Sequence, residues 1–64
     1  MQIMYRDQWG NIATITQSIT GKSFLLSIKT AAGIIWLQRR RKTFPAVMAA
    51  LDRYSAGLET WKAI

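Results

Sequence analysis

The hydrophobic pattern of this chain changes its period once, after residue 42, and this change limits what the chain can fold into. Upstream of residue 42, apolar and polar residues alternate, as they do in strands with one buried face. Downstream, one stripe of side chains recurs at spacings of three and four, which is typical of a helix. Its members are Phe44, Val47, Met48, Leu51, Ser55 and Leu58. The pattern therefore predicts an α+β fold, with the sheet first.

The alternating region divides into four segments, each bounded by turn residues that include a glycine. These segments predict strands over about residues 1–6, 12–19, 23–30 and 34–40. The second and third strands each place one apolar face against the core. On the second strand that face comprises Ala13, Ile15 and Ile19, and on the third it comprises Phe24, Leu26 and Ile28.

The helical stripe predicts one helix from about Pro45 to Ala56. Proline suits the first turn because it has no N–H to donate, and Gly57 suits a C-terminal stop. The tail carries Trp61 and is expected to fold back or to join an interface. We thus predict a single domain over residues 1–64, an antiparallel sheet of three to four strands followed by one C-terminal helix (ββββα).

Two observations predict a homo-oligomer, a dimer or a tetramer. A chain of 64 residues buries too little surface to offset comfortably the cost of ordering it. It has neither cysteine nor histidine, so no disulfide and no Cys/His zinc site supplies the difference. In addition, the fourth strand is apolar on both faces, with Ile34 and Trp36 on one and Ile35 and Leu37 on the other.

The charge of the chain indicates a polyanionic partner, either nucleic acid or an acidic protein surface. Nine lysines and arginines face three acids, for a net charge of +6. The candidate nucleic-acid-binding cations are the run Arg39, Arg40, Arg41 and Lys42, extended by Lys22 and Lys29, with Arg6 as a further member. Phosphates relieve the repulsion within such a run and release counterions. The alternative is a solvated strand end that guards a sheet edge.

Two tryptophans are candidates for stacking on bases. Trp36 is expected to share a strand face with Gln38 and Arg40, an arrangement that holds single-stranded nucleic acid in other proteins. Its alternative is a place in a dimer interface. Trp9 lies in the first turn, and its alternative is a lid over the end of the core.

Catalysis has few possible carriers in this sequence. Without histidine or cysteine there is no imidazole base and no thiolate, and the only carboxylates belong to Asp7, Asp52 and Glu59. A carboxylate could hold Mg²⁺ or another divalent metal for hydrolysis, although one carboxylate is a thin ligand set. Asp7 has the alternative of closing its own turn.

Two segments resemble a known family. They are Tyr5-Arg6-Asp7-x-x-Gly10-Asn11-x-Ala13-Thr14-Ile15 and Ala46-x-x-Ala49-Ala50-Leu51-x-Arg53. They are similar to small prophage and mobile-element proteins of gut Clostridia-type bacteria, and within these to type II-A anti-CRISPR proteins with the fold of the positive-cofactor-four single-stranded-DNA-binding coactivators. The resemblance implies four strands and a helix, with subunits that associate through both. It also implies nicking of supercoiled DNA, for which Asp7 is the only carboxylate within the matching segments.

Three hypotheses follow for function. The chain is an anti-CRISPR protein that nicks or relaxes DNA, with Mg²⁺ or another divalent metal, and so impairs an RNA-guided type II nuclease. Alternatively it is a non-catalytic module that binds single-stranded DNA, or an inhibitor that binds an acidic protein surface. We expect a cytoplasmic location in a bacterial host cell. Membrane association is not expected, because no apolar stretch reaches the roughly 18 residues of a span.

Overall fold

A five-stranded antiparallel sheet and one α-helix make up an α+β fold in the computed structural model, which describes residues 2–54 and 57–64 except for the side chain of Leu58. The elements in chain order are β1 (Gln2–Arg6), β2 (Ile12–Gln17), β3 (Phe24–Lys29), β4 (Ile35–Arg41), α1 (Phe44–Asp52), a short 3-10 helix (Leu58–Thr60) and β5 (Lys62–Ala63). The strands lie side by side in the order β4-β3-β2-β1-β5. The predicted α+β class, with four sequential strands and then a helix, is confirmed.

Short loops with a glycine in the left-handed region join the strands and set their register. In the β1–β2 loop the Asp7 N–H donates to the Asn11 carbonyl (3.1 Å) and the Gly10 N–H to the Asp7 carbonyl (3.2 Å). Gly10 there has φ of 84°, which residues with a Cβ rarely adopt. The β3–β4 loop repeats this hydrogen-bond pattern between Thr30 and Ile34. Each is a three-residue hairpin loop, a common connection between antiparallel strands.

The predicted apolar faces of the second and third strands are confirmed, with one exception. Ala13 and Ile15 lie opposite Ile28 and Leu26, and all four are fully buried. Ile19, predicted to share this face, is fully exposed. The strand ends at Gln17 and the next turn begins at Ser18, whose carbonyl accepts from the Gly21 N–H at 2.9 Å, so Ile19 lies in the turn.

The helix begins within one residue of its predicted start and ends earlier than predicted. The Thr43 hydroxyl caps its first turn by accepting from the Ala46 N–H at 3.2 Å. It ends at Asp52. The next residue makes a hydrogen bond of the 3-10 type, in which the Arg53 N–H donates to the Ala50 carbonyl three residues back. The predicted end at Ala56, like Ser55 of the apolar stripe, lies outside the described residues.

The tail after the helix folds back on the sheet, which was one of its two predicted outcomes. Trp61 joins the buried core with only 5% of its surface exposed, and its indole N–H donates to the Tyr54 carbonyl at 3.3 Å. The next two residues pair with β1, Lys62 opposite Arg6 and Ala63 opposite Tyr5. This fifth strand was not predicted, because two residues show no alternation.

The core lies on one side of the sheet. Its members are Ala13, Ile15, Leu26, Ile28, Val47, Ala50, Leu51 and Trp61. The helix packs on β3 and β4, and no described element packs on the opposite side of the sheet. No helix among the described residues has the length and apolar character needed to cross a membrane.

Candidate nucleic-acid interface

The side of the sheet that faces away from the helix forms a continuous surface, which we call the helix-free face. Residues directly opposite one another on neighbouring strands point to the same side, so the register assigns its members. They are Gln2, Met4, Arg6, Ile12, Thr14, Thr16, Leu25, Ser27, Lys29, Ile35, Gln38, Arg40 and Lys62.

One row of this face crosses all five strands and carries three of its cations. From β5 to β4 the neighbours are Lys62, Arg6, Ile12, Lys29 and Ile35. Because neighbouring strands lie about 4.8 Å apart, the backbones of Arg6 and Lys29 are separated by roughly 10 Å. Both side chains are exposed. The row thus presents two adjacent cations, Lys62 and Arg6, and a third, Lys29, on the other side of Ile12.

The remaining two rows of the helix-free face are mainly polar. The middle row contains Met4, Thr14, Ser27 and Gln38. The far row contains Gln2, Thr16, Leu25 and Arg40. Arg40 brings the fourth cation, and its guanidinium lies 3.4 Å from the Ser23 hydroxyl oxygen. Hydroxyls and amides beside cations are the groups that contact phosphate and sugar in nucleic-acid complexes.

No acid of the chain lies on the helix-free face. Asp7 lies in the β1–β2 loop, Asp52 ends the helix and Glu59 belongs to the 3-10 helix. Four cations and no anions give this face a charge of +4, out of +6 for the whole chain. The two sides of the sheet therefore differ: the helix side holds the apolar core, whereas the helix-free face is open and carries cations without acids.

The arginine run is divided between the two sides of the sheet. Arg40 lies opposite Leu25 on the helix-free face, whereas Arg39 and Arg41 lie opposite Leu26 and Phe24 on the helix side. The guanidinium groups of Arg39 and Arg41 each donate to the carbonyl of the preceding residue at 2.8 Å. The four adjacent cations thus do not form one patch, since strand alternation separates them.

The other predicted cations occupy different parts of the molecule. Lys42 follows the end of β4, and Lys22 lies in the β2–β3 turn, both exposed. Lys29 lies on the helix-free face with Arg6 and Arg40. Lys62 was missed as a member of the site because the strand that carries it was not predicted.

Trp36 was expected to share a strand face with Gln38 and Arg40, and this expectation is wrong. The β3–β4 register shifts between Ile28 and Lys29, leaving Trp36 as the extra residue of a β-bulge. Its ring makes an edge contact with Tyr54, centroids 5.9 Å apart, and Tyr54 packs against the core. Trp36 therefore points to the helix side with 54% of its surface exposed. The bulge interrupts the alternation on which the expectation rested.

Trp9 is the more accessible of the two candidate stacking residues. It is 57% exposed in the β1–β2 loop, where it does not cover the core as a lid would. This loop joins Arg6 to Ile12, two neighbours in the cationic row of the helix-free face. The loop that carries Trp9 therefore lies at the edge of the sheet, beside the middle of that row.

Asp7 is buried, and its carboxylate holds the β1–β2 loop together. Oδ1 accepts from the backbone N–H groups of Trp9 (2.9 Å) and Asn11 (2.8 Å), and Oδ2 accepts from the Asn11 side-chain amide (2.8 Å). The side chain is only 5% exposed. These are the hydrogen bonds of a turn-closing aspartate. The catalytic role of Asp7 stays a prediction.

The residues around Asp7 do not fit the divalent metal that was expected for hydrolysis in a chain without histidine or cysteine. Mg²⁺ needs carboxylate oxygens that it can reach together with its remaining waters, whereas both oxygens of Asp7 already accept hydrogen bonds within the loop. Across residues 2–54 and 57–64, no three acidic or metal-ligating side chains come together.

A cavity of about 320 Å³ lies where the β1–β2 loop meets the tail. Its lining residues are Arg6, Asp7, Gln8, Glu59, Thr60, Lys62 and Ile64. Two of the three carboxylates of the chain thus line one cavity with two cations of the helix-free face. The sequence did not reveal this meeting, because β5 is what brings Glu59 and Lys62 beside the first loop.

Comparisons of the chain with protein families, with curated proteins and with solved structures found no match.

Proposed function

We propose that this protein binds DNA by its phosphate backbone, through the helix-free face. The observation that supports this is the charge of that face: four cations, no acid and a set of neutral hydroxyls and amides, on a sheet surface that no described element covers. Cations in this arrangement release counterions when they contact phosphates, which supplies most of the affinity of sequence-independent binding.

The same face favours contacts to the backbone over contacts to bases. None of its thirteen members is aromatic, so it offers no stacking platform like those of many single-strand binders. Trp9, in the loop beside the cationic row, is the exposed ring best placed to stack on an unpaired base. A single strand laid along the row, with one base on Trp9, satisfies both features.

Two triple variants with equal loss of charge test the proposal. One replaces Arg6, Lys29 and Arg40 by glutamine. The control replaces Arg39 and Arg41, which lie on the helix side of β4, and Arg53, which follows the helix. We expect the first to weaken binding of labelled single-stranded DNA strongly and to reduce the slope of log affinity against log salt by about 2, at roughly 0.7 per lost contact. The control should change the slope by less.

Fluorescence anisotropy over a salt series measures both quantities. Equal slopes for the two triple variants would show that binding follows net charge rather than the helix-free face. Wild-type protein that binds no DNA at low salt would remove the proposal and favour an acidic protein surface as the partner.

A second candidate function is the nicking of supercoiled DNA, and through it the impairment of an RNA-guided nuclease. The observation in its favour is the cavity in which Asp7 and Glu59 lie beside Arg6 and Lys62, so that carboxylates and phosphate-binding cations are adjacent. Negative supercoiling favours the strand exchange on which such nucleases depend, so DNA that has been nicked and relaxed is a poorer target.

Self-association belongs to the same proposal. β4 is an edge strand that begins with exposed apolar residues: Ile34, just before the strand, is 66% exposed and Ile35, its first residue, is 55% exposed. An exposed apolar edge readily pairs with another strand. We propose that a second copy covers it, which would place two helix-free faces on one assembly.

A further inference from the structure

The helix-free face ends in a small cavity next to the β2–β3 turn. The cavity has a volume of about 130 Å³ and is lined by Thr16, Gln17, Ser18, Ser23, Leu25 and Arg40. Three hydroxyls, one amide and one guanidinium surround it, and no carboxylate does. Cavities that hold drug-sized ligands measure about 300–1,000 Å³, so this one is suited to a single small group.

Backbone pairing fixes the hydroxyls of this cavity in place. The Ser18 N–H donates to the Ser23 carbonyl at 2.9 Å, and the Ser23 N–H donates to the Ser18 hydroxyl at 3.2 Å. The two serines therefore face each other across the end of the hairpin. Thr16 lies one pleat further along the same face, opposite Leu25. The three hydroxyls therefore line the same end of the helix-free face, with that of Ser18 also 3.3 Å from the Thr20 hydroxyl.

Arg40 completes the set with a charge. It is the neighbour of Leu25 on β4, and its guanidinium reaches the Ser23 hydroxyl at 3.4 Å. A serine oxygen that accepts a hydrogen bond still has its own O–H to donate, and a guanidinium has five N–H groups. Both can therefore donate to one additional acceptor in the cavity. A tetrahedral oxyanion is the ligand that accepts from several converging donors and neutralises arginine.

We infer that this cavity binds one phosphate group, and that in the DNA complex it holds a backbone phosphate and so sets the position of the strand on the helix-free face. The inference rests on the proposed function for the source of the phosphate, though not for the chemistry of the cavity. It assigns different tasks to the two ends of the face. The row with Arg6 and Lys29 attracts the strand by charge, and the cavity orients it by hydrogen bonds.

Single substitutions with matched controls test this assignment. Ser23→Ala removes a cavity hydroxyl, and Ser27→Ala removes one from the middle row of the same face. We expect Ser23→Ala to weaken binding of labelled single-stranded DNA about three- to tenfold with an unchanged salt slope, because it removes a neutral donor. Ser27→Ala should weaken binding less than Ser23→Ala does, because it removes a hydroxyl of the same face that lies outside the cavity.

Arg40→Gln should lower affinity about tenfold and reduce the salt slope by about 0.7, the value for one phosphate on a single strand. Its control is Arg39→Gln, adjacent in sequence but on the helix side. Circular dichroism spectra and melting curves check that each variant is folded as wild type.

Titration of isotope-labelled protein with inorganic phosphate, observed by amide NMR, examines the cavity without DNA. We expect saturable shifts at Ser18 and Ser23 in wild type that are absent in Arg40→Gln and absent with chloride at matched ionic strength. Phosphate that shifts these amides no more than chloride does, together with equal DNA affinity of Ser23→Ala and Ser27→Ala, would overturn the inference.

The two proposals can fail separately. If replacing Arg6 and Lys29 weakens DNA binding while Ser23→Ala has no effect, the helix-free face binds DNA and the cavity assignment is wrong. If phosphate saturates the cavity amides but wild type binds no DNA, the cavity is a site for free phosphate and the proposed function is wrong.

Discussion

Asp7 shows how one side chain can satisfy a structural role and a catalytic hypothesis at once. From the sequence it was both the only carboxylate of the family-like segments and a turn residue. In the structure it is buried and accepts three hydrogen bonds within its own loop. Substitution by alanine would remove both the hydrogen bonds that hold the loop and the carboxylate that catalysis would need, so it cannot separate the two roles.

Asp7→Asn is the better variant at the residue scale. Asparagine keeps an acceptor for the Trp9 and Asn11 N–H groups but places an NH₂ against the Asn11 amide. We expect Asp7→Ala to lower the free energy of unfolding by about 2 kcal/mol and Asp7→Asn by about 1 kcal/mol. Thermal melts would show shifts of several degrees in that order. Equal melting temperatures for wild type and Asp7→Ala would contradict the turn role.

Wild type and Asp7→Asn can also be compared in a test for nicking. Supercoiled plasmid is incubated with wild type or Asp7→Asn, with and without Mg²⁺, and separated on a gel. If Asp7 is catalytic, open-circle plasmid forms with wild type and not with Asp7→Asn at a temperature where both are folded. Glu59→Gln is a useful companion, since Glu59 lines the same cavity from the tail and is exposed. Plasmid nicked equally by wild type and both variants would exclude the two carboxylates as the cause.

At the scale of elements, the sequence predicted the strands and the helix that have a periodic hydrophobic pattern and missed the features that have none. The four strands and the helix start followed from alternation, turn glycines and the position of Pro45. Alternation also correctly predicted that Ala13, Ile15, Leu26 and Ile28 are buried. The bulge at Trp36 and the two-residue β5 were missed, because each is set by tertiary pairing and leaves no periodic signal. Two of the three cations of the cationic row followed from the sequence, since Arg6 and Lys29 were named and Lys62 was not.

Trp61 anchors the C-terminal tail to the core, so its substitution should detach the tail and destabilise the fold. Trp61→Ala removes a buried indole, which we expect to lower the free energy of unfolding by about 3–5 kcal/mol. Trp61→Phe keeps most of the apolar surface and loses the hydrogen bond to the Tyr54 carbonyl, so a loss of about 1 kcal/mol is expected. Urea unfolding curves measure both. A tail that only rests on the surface would give two small and equal losses.

At the scale of the whole molecule, the unpaired edge of β4 should govern self-association. Trp36 is unsuited to test this, because its ring also contacts Tyr54 within the chain. Ile35→Thr is cleaner, since Ile35 is exposed on the edge strand and threonine keeps the β-branch. We expect it to shift a dimer or tetramer toward the monomer in light scattering at about 100 µM.

Ile19→Thr is the matched control, because Ile19 is fully exposed in a turn away from the start of β4. It should leave the mass unchanged. A wild-type protein that is monomeric at that concentration, or equal behaviour of the two variants, would contradict self-association through this edge.

The pairing of β5 with β1 has a consequence for the time course of folding. The three hairpins join neighbours in sequence and can close as soon as each strand exists, whereas β5 meets β1 across almost the whole length of the chain. Contacts of such long range form late, because the intervening loop must first be ordered. On the ribosome, we therefore expect the sheet and helix to emerge with their core still open. We expect the nascent protein to close that core only after Trp61 has left the exit tunnel.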